Sequence, residues 1–146
     1  MLFMGDTGTG KTLYACCIAN ALIRKGVLVW ATTMQPLLRK AVDFATVDSL
    51  FSQVKTVELL AIDDFGSTQN SACNLGLMLE LIYTRARSGL PLIVTTNLDA
   101  DDINTETLDL KRIFSRIMAM CYTCEKSPVR MISEDIHEPS AREAHA

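Results

Sequence analysis

The sequence predicts an α/β fold, a three-layer sandwich in which helices cover both faces of a central, mainly parallel sheet. Three short runs of mostly apolar, β-forming residues, 27–31, 58–62 and 91–96, alternate with longer stretches whose apolar residues recur at helical spacing. Such runs are typical of strands that are buried on both faces of a parallel sheet. A strand–loop–helix motif at residues 1–23 supports the same fold, since alternating strands and helices are joined by right-handed crossovers.

The first element is a short apolar strand, residues 1–4, and residues 5–12 follow it directly as G-D-T-G-T-G-K-T. The glycines let the backbone turn its N–H groups inward, where they form a nest for phosphate oxygens. The helix that begins at Lys11 adds its free N–H groups and the positive end of its dipole. The pattern G-x-x-x-x-G-K-[ST] between a strand and a helix therefore predicts a loop that binds a nucleotide with Mg²⁺.

Within this loop we expect Lys11 to reach the β- and γ-phosphates and the Thr12 hydroxyl to hold Mg²⁺. The residues predicted to bind the nucleotide are Gly5, Asp6, Thr7, Gly8, Thr9, Gly10, Lys11, Thr12 and Leu13. The alternative is a Gly- and Thr-rich turn without a ligand. The full pattern in this context rarely arises by chance, because glycine makes up only about 7% of an average protein.

The predicted elements after the loop are a helix over 11–25, a strand over 27–31, helices around 36–42 and 50–54, a strand over 58–62, a helix over 74–88, a strand over 91–96 and a helix over 108–120. Gly26 and Gly89 are natural stops for the helices that precede them. Pro36 is tolerated because it falls in the first turn of its helix. A last strand is expected either at 119–123 or at 129–132.

Polar side chains follow two of the predicted strands. Asp63 and Asp64 come directly after the run 58–62, and Asn97 comes after the run 91–96. Since ligands of such sheets bind at the carboxyl ends of the strands, we expect these side chains beside the phosphate loop. Their spacing is also compatible with an acidic turn and with an asparagine that only forms a turn.

Each of these polar residues has a predicted role in phosphate chemistry. Asp63 is positioned to hold Mg²⁺ opposite Thr12. Asp64 is positioned to orient or deprotonate a water molecule that attacks the γ-phosphate. We expect the strand of Asn97 to lie between the phosphate-loop strand and the Asp63 strand, so that its amide contacts the attacking water and the γ-phosphate.

Two arginines, Arg112 and Arg116, are four residues apart and share one face of the predicted last helix. An arginine that reaches the γ-phosphate of a neighbouring subunit stabilises charge in the transition state. A solvated basic face is the alternative interpretation, and the spacing alone favours neither.

Together these residues resemble the AAA+ ATPases of the DnaC-type helicase-loader and IstB-type transposition-helper family. The resemblance covers about residues 1–121. It rests on GDTGTGKT at 5–12, LLAIDDFG at 59–66, PLIVTTNL at 91–98 and RIFSRIMAMC at 112–121. It implies the P-loop NTPase fold of the AAA+/ASCE class and Mg²⁺-dependent ATP hydrolysis.

The resemblance also implies roles for individual residues. Asp63 and Asp64 correspond to the Walker B acids, Asn97 to sensor 1, and Arg116 to an arginine finger that acts in trans within a homo-oligomer. Arg130 falls near the sensor 2 position, although the spacing before it is shortened. The catalytic residues are thus expected to be Lys11, Asp64, Asn97 and Arg116, and the metal ligands Thr12 and Asp63.

The family further implies a role in DNA replication initiation, with a replicative DNA helicase and single-stranded DNA as partners. Members carry a helicase-docking segment before the phosphate-loop strand, and here the printed chain begins at that strand. We therefore expect the lid and the N-terminal region to be reduced or missing. Residues 1–133 are expected to form the ATPase core and residues 134–146 a polar, disordered tail.

Composition limits the remaining possibilities. The 146 residues suit one domain, and a net charge of −3 argues against a strongly basic nucleic-acid-binding protein. No apolar run reaches about 18 residues, so we expect a cytoplasmic protein with no membrane partner. Local contacts with DNA remain open for five basic residues, each of which is also interpreted as an ordinary surface charge: Arg39, Lys40, Arg85, Arg87 and Lys111.

The five cysteines are odd in number and predict free, buried thiols rather than disulfides. Cys121 and Cys124 have the spacing of half a zinc site, but no second pair accompanies them. His137 and His145 lie in the polar tail, where solvation is the expected state.

Three alternatives to a helicase loader remain open at this point. A transposition helper shares every motif named above. A P-loop kinase for small molecules would need a basic lid, and no arginine-rich lid segment is evident in the middle of the chain. A truncated remnant that binds nucleotide without hydrolysing it is the non-enzymatic alternative.

Overall fold

Four parallel strands form the sheet in the computed structural model, which describes residues 1–66 and 72–122. The strands are β1 (Leu2–Met4), β2 (Val29–Thr33), β3 (Leu59–Asp63) and β4 (Leu92–Thr96), in the spatial order β1-β4-β3-β2. In the register, Phe3 lies beside Thr95, and Ile62 lies beside Val94. The carboxyl ends of β1, β4 and β3 therefore meet at one edge of the sheet.

Helices cover both faces of this sheet, which confirms the predicted three-layer α/β architecture. They are α1 (Lys11–Ile23), α2 (Met34–Val42), α3 (Val47–Thr56), α4 (Ala72–Ser88), α5 (Ala100–Thr105) and α6 (Leu108–Tyr122). Helix α1 packs on one face through a small apolar cluster that includes Ala15, Ala61 and Ile93. Helices α2, α3, α4 and α6 supply the larger core on the other face.

The strand predicted at 27–31 lies two residues further along the chain, and it is not buried on both faces. The N–H of Val27 still donates to Leu22 O, which extends the turn after α1. Strand β2 is at the edge of the described sheet, and Ala31 and Thr33 are exposed on it. The expectation that this run is buried on both faces is thus wrong, because β2 is an edge strand on which side chains remain accessible to solvent.

Helix α1 is less buried than its apolar sequence predicts. Ala15 and Ala19 are its buried residues, whereas Leu13 is 66% exposed. Small side chains let the helix approach the sheet closely, Ile18 and Leu22 pack beside them at partial burial, and Leu13, Tyr14 and Ile23 remain exposed. The prediction of buried thiols is wrong here, since Cys16 and Cys17 are both exposed.

The segment 119–123 was one of two candidates for a last strand, and this prediction is wrong because α6 continues to Tyr122. The other candidate, 129–132, lies outside the described residues. Three further predictions also fall outside the described residues: Cys124 of the possible zinc pair, the tail at 134–146, and the candidate sensor residue Arg130. Within residues 1–66 and 72–122, no helix combines the length and hydrophobicity needed to cross a bilayer.

Beyond Asn97, which is also compatible with a turn, the structure has a short helix, α5, that the sequence analysis did not predict. Asp99 is the N-cap of this helix and accepts a hydrogen bond from the backbone N–H of Asp102 at 2.7 Å. The Asp102 side chain accepts in return from the Asp99 N–H at 3.1 Å, which completes a capping box.

Arg85 corrects the interpretation of the basic residues as surface charges with a possible role in DNA binding. Its side chain is fully buried, and its guanidinium donates to four backbone carbonyls, those of Val54, Val57, Glu58 and Pro91. Burial lowers its pKa to about 10. Arg85 is thus an internal anchor that connects the end of α3 with the starts of β3 and β4.

Candidate nucleotide-binding site

The loop between β1 and α1 has the backbone conformation that phosphate binding requires. Gly8 and Gly10 adopt the left-handed conformation, with φ of 90° and 85°, which costs glycine little and would strain other residues. Helix α1 begins at Lys11 without a side-chain cap. Its first N–H groups therefore have no intrahelical or capping partner and are available to an anion.

The Lys11 ammonium lies across this loop. It donates to the carbonyl oxygens of Gly5 and Asp6, at 2.7 and 2.6 Å, and to the Thr9 hydroxyl at 3.2 Å. Burial lowers the pKa of the ammonium, and the following carboxylates oppose this effect: Asp6, Asp64 and Asp63. Since an ammonium has three donors, a phosphate that binds Lys11 must replace part of this set.

The first turn of α1 and the end of β3 meet at Thr12 and Asp63. The Thr12 hydroxyl donates to Asp63 Oδ1 at 2.9 Å, with Oδ2 at 3.2 Å. A carboxylate and a hydroxyl are hard oxygen donors of the kind that Mg²⁺ prefers, and Mg²⁺ commonly takes its remaining ligands from phosphates and water. In the part of the chain that the structure describes, no group of three or more His, Cys, Asp or Glu residues could hold a metal alone. The donor set fits a metal that arrives with a nucleotide.

The second acid of the pair faces Asn97. The Asn97 amide Nδ2 donates to Asp64 Oδ1 at 3.2 Å, and both side chains belong to exposed residues. Asp64 has a φ of 55°, an uncommon conformation for a residue other than glycine. As the sequence predicted, Asn97 follows the strand that lies between β1 and β3.

Thr95, which sequence reasoning did not single out, is also part of this arrangement. Its hydroxyl donates to Asp63 Oδ1 at 2.5 Å and accepts from the backbone N–H of Asp64 at 2.9 Å. The residue is only 2% exposed. The sequence offers one signal for a role of Thr95 at the site: two hydroxyl residues, Thr95 and Thr96, end an otherwise aliphatic strand.

Arg112 and Arg116 lie away from the phosphate loop. Both line a cavity of about 440 Å³ between α4 and α6, together with Tyr83, Lys111, Ser115 and Ala119. The Arg116 guanidinium is 4.7 Å from the centroid of the Tyr83 ring, and Arg112 pairs with Asp109 at 3.3 Å. No residue of the loop or of the two strand ends described above lines this cavity, so the structure does not bring Arg116 to the loop of its own chain.

The chain is similar to known ATP-binding and replication proteins. The model of the family "IstB-like ATP binding protein" matches residues 1–125. The replicative helicase loader DnaC of Escherichia coli strain K12 is 25% identical over 107 residues, which cover 70% of this chain and 44% of that protein. The chain thus spans less than half of the length of the curated relatives it matches.

Two solved structures show the same fold. The DnaC helicase loader superposes with a TM-score of 0.68 at 24% identity, over 82% of this chain and 73% of that chain. The replication initiator DnaA bound to AMPPCP and single-stranded DNA gives 0.65 at 17% identity, over 78% and 37%. At these identities the likeness carries the fold, which is that of AAA+ P-loop ATPase domains.

Proposed function

This chain belongs to the family of IstB-like ATP binding proteins, and from that premise we propose that it is the ATP-hydrolysing core of a DnaC-like helicase loader. The observation that carries the proposal is the meeting of Thr12 with Asp63, since a hydroxyl of the phosphate-loop helix and a carboxylate at a strand end share one hydrogen bond. Magnesium-bound triphosphate needs these two groups side by side.

In the proposed reaction the loop N–H groups and Lys11 bind the phosphates of ATP. Thr12 and Asp63 hold Mg²⁺, which neutralises charge on the phosphate oxygens when it is bound. Asp64 accepts the proton of the attacking water, and Asn97 keeps the Asp64 carboxylate oriented through the 3.2 Å hydrogen bond. Each of these side chains stands at the carboxyl end of its strand or at the start of α1.

The proposed active site is shared between subunits. Arg116 lies on a cavity that none of the loop residues lines, which supports action on the nucleotide of a neighbouring copy rather than on its own. An arginine that acts in trans stabilises transition-state charge by about 10³- to 10⁵-fold in rate in known GTPases. We therefore propose a homo-oligomer in which hydrolysis requires assembly.

The proposed partners are a replicative DNA helicase and single-stranded DNA, and the proposed place of action is the cytoplasm. Support comes from the relatives, one of which is a replicative helicase loader and another a replication initiator bound to single-stranded DNA. Four of the basic candidates for DNA contact are exposed, namely Arg39, Lys40, Arg87 and Lys111. Few phosphate contacts imply an affinity that is modest and falls with added salt.

Two substitutions separate binding from hydrolysis. Lys11→Ala is expected to abolish ATP binding, because it removes the cation of the phosphate loop. Arg116→Ala is expected to keep ATP binding and to lose hydrolysis. Binding is measured with a fluorescent ATP analogue, and hydrolysis by phosphate release at high protein concentration with single-stranded DNA. Equal ATP binding by the Lys11→Ala variant and the unchanged protein would refute the assignment.

A transposition helper is the second candidate function, and the match to the IstB-like family favours it. The same residues would carry out the same ATP hydrolysis. The two functions differ in the nucleic acid that stimulates the ATPase, so rates with single-stranded and double-stranded DNA are compared at equal salt. A protein that binds ATP and hydrolyses none under either condition would instead be a non-hydrolysing remnant.

A further inference from the structure

We infer that Thr95 is a positioning residue that sets the orientation of both acids of the site, Asp63 and Asp64. The inference rests on the proposed function, because it concerns the same Mg²⁺ and the same attacking water. It adds a residue that the loop motif and the acid pair do not include.

The Thr95 hydroxyl connects the two acids through one oxygen atom. Its hydrogen goes to Asp63 Oδ1 at 2.5 Å, and its oxygen accepts the N–H of Asp64 at 2.9 Å. A hydroxyl has one hydrogen to donate and two lone pairs, so both contacts are satisfied at the same time.

The first contact fixes the carboxylate of Asp63. Its Oδ1 accepts from Thr95 on the sheet side and from Thr12 on the helix side, at 2.5 and 2.9 Å. Two donors on the same oxygen restrict rotation of the carboxylate, and hydrogen bonds to a charged acceptor are the stronger kind. A metal ligand that is oriented in this way costs less to order when the metal arrives.

The second contact supports the unusual backbone of Asp64. At a φ of 55° the chain turns sharply after β3, and this turn directs the Asp64 side chain toward Asn97. The Thr95 hydroxyl holds the Asp64 N–H of this turn to β4, and the Thr95 carbonyl accepts from Phe65 N, one residue on, at 2.8 Å. Loss of the hydroxyl therefore loosens the water-activating acid as well as the metal ligand.

The neighbouring Thr96 provides a matched control. It is fully buried, and its hydroxyl donates to Phe65 O at 2.7 Å and accepts from Leu98 N at 3.1 Å. Thr95 and Thr96 are thus the same residue type on the same strand. Both are buried, and each hydroxyl donates one hydrogen bond and accepts one. The hydroxyl of Thr96, however, bonds only to backbone groups and touches neither carboxylate. A purely structural role of Thr95 predicts the same behaviour for both residues.

The experiment compares Thr95→Val, Thr95→Ser and Thr96→Val with the unchanged protein. For each, binding of a fluorescent ATP analogue is titrated with Mg²⁺ from a start in EDTA, and hydrolysis and the melting temperature are recorded. We expect Thr95→Val to need about 10- to 100-fold more Mg²⁺ for half-maximal strengthening of ATP binding, the usual loss when a partner of a metal ligand is removed. Its ATP binding in EDTA should stay unchanged, and Thr95→Ser should restore the Mg²⁺ requirement to within about three-fold.

Each outcome decides the inference. It is overturned if Thr95→Val binds and uses Mg²⁺ like the unchanged protein, or if Thr96→Val shifts the Mg²⁺ requirement equally. Should Thr95→Val fail to fold, Thr95→Ala takes its place with the same expectations. If no protein hydrolyses ATP but the Mg²⁺ requirement still separates the variants, the hydrolytic function fails and the role of Thr95 in metal positioning stands. If ATP binding by the unchanged protein is insensitive to Mg²⁺, both proposals fall.

Discussion

Replacing Arg85 by Met should destabilise the fold far more than a surface arginine would. The guanidinium makes five hydrogen bonds to the carbonyl oxygens of Val54, Val57, Glu58 and Pro91. These carbonyls belong to the end of α3 and to the segments that enter β3 and β4. Methionine fills a similar length of space without a donor, so the substitution isolates the polar contacts.

The expected magnitude follows from two opposing effects. Hydrogen bonds from a charged donor contribute at least about 1.5 kcal/mol each, or at least about 7.5 kcal/mol for these five. Burial opposes them, since it lowers the Arg85 pKa from its ordinary value to about 10, a change that corresponds to about 3 kcal/mol against the charged form. The net loss in Arg85→Met is then about 4 kcal/mol, in the range found when one partner of a buried charged contact is removed.

Thermal unfolding followed by circular dichroism measures this loss. At about 2–4 °C per kcal/mol for a domain near this size, the melting temperature should fall by about 8–16 °C. Arg87→Met is the control, because Arg87 lies on the same helix and is exposed; its effect should stay within about 0.5 kcal/mol. Arg85→Lys keeps a charge but not the planar fork of donors, so an intermediate loss is expected. Equal melting temperatures for Arg85→Met and Arg87→Met would refute the internal-anchor account.

Three further predictions concern other parts of the structure. Gly66→Ala should lose about 1–3 kcal/mol of unfolding free energy, because Gly66 has a φ of 89° and an added Cβ would lie 2.9 Å from the Leu98 side chain; unchanged denaturant melts would contradict this. Asp99→Ala removes the capping box of α5 and should cost about 1 kcal/mol in the same assay, whereas a neutral effect would mean that the cap is dispensable. The thiols of Cys16 and Cys17 are exposed and should react with a thiol reagent in native buffer as fast as in denaturant; strong protection would restore the interpretation of these thiols as buried.

The sequence predicts the fold well where local signals and burial agree. The aliphatic runs predict strands β3 and β4 correctly. Both strands are interior to the sheet, where helices cover each face. The run 27–31, which overlaps β2, is similarly apolar but contributes to an edge strand. Composition alone does not show whether a strand lies at the edge or in the interior of a sheet. The order of the strands depends on the tertiary structure. The prediction of buried thiols on α1 is wrong for the same reason, because burial depends on tertiary contacts. Helix α1 covers that part of the sheet through its small residues, and the thiols stay exposed.

For the candidate site, too, the sequence is informative where a residue belongs to a local motif. Lys11, Thr12, Asp63, Asp64 and Asn97 were found because each sits at a fixed place in a motif. Their roles in binding and hydrolysis stay predictions until the variants are measured.

Two residues that matter to the structure were given no such role by the sequence. Thr95 depends on the register that brings β4 beside Asp63, and such a register is not encoded in any short pattern. Arg85 was interpreted as a surface charge because arginine is seldom fully buried. Its carbonyl partners lie on two separate segments, 54–58 and Pro91, that only the folded chain brings together.

The most direct test of the account is the Mg²⁺ dependence of ATP binding in Asp63→Asn, measured by calorimetry with Mg²⁺ and with EDTA. If Thr12 and Asp63 hold the metal that accompanies the triphosphate, Mg²⁺ should strengthen ATP binding to the unchanged protein. It should have little effect on the variant, while both proteins bind ATP alike in EDTA. An Asp63→Asn protein that gains as much affinity from Mg²⁺ as the unchanged chain would contradict the account.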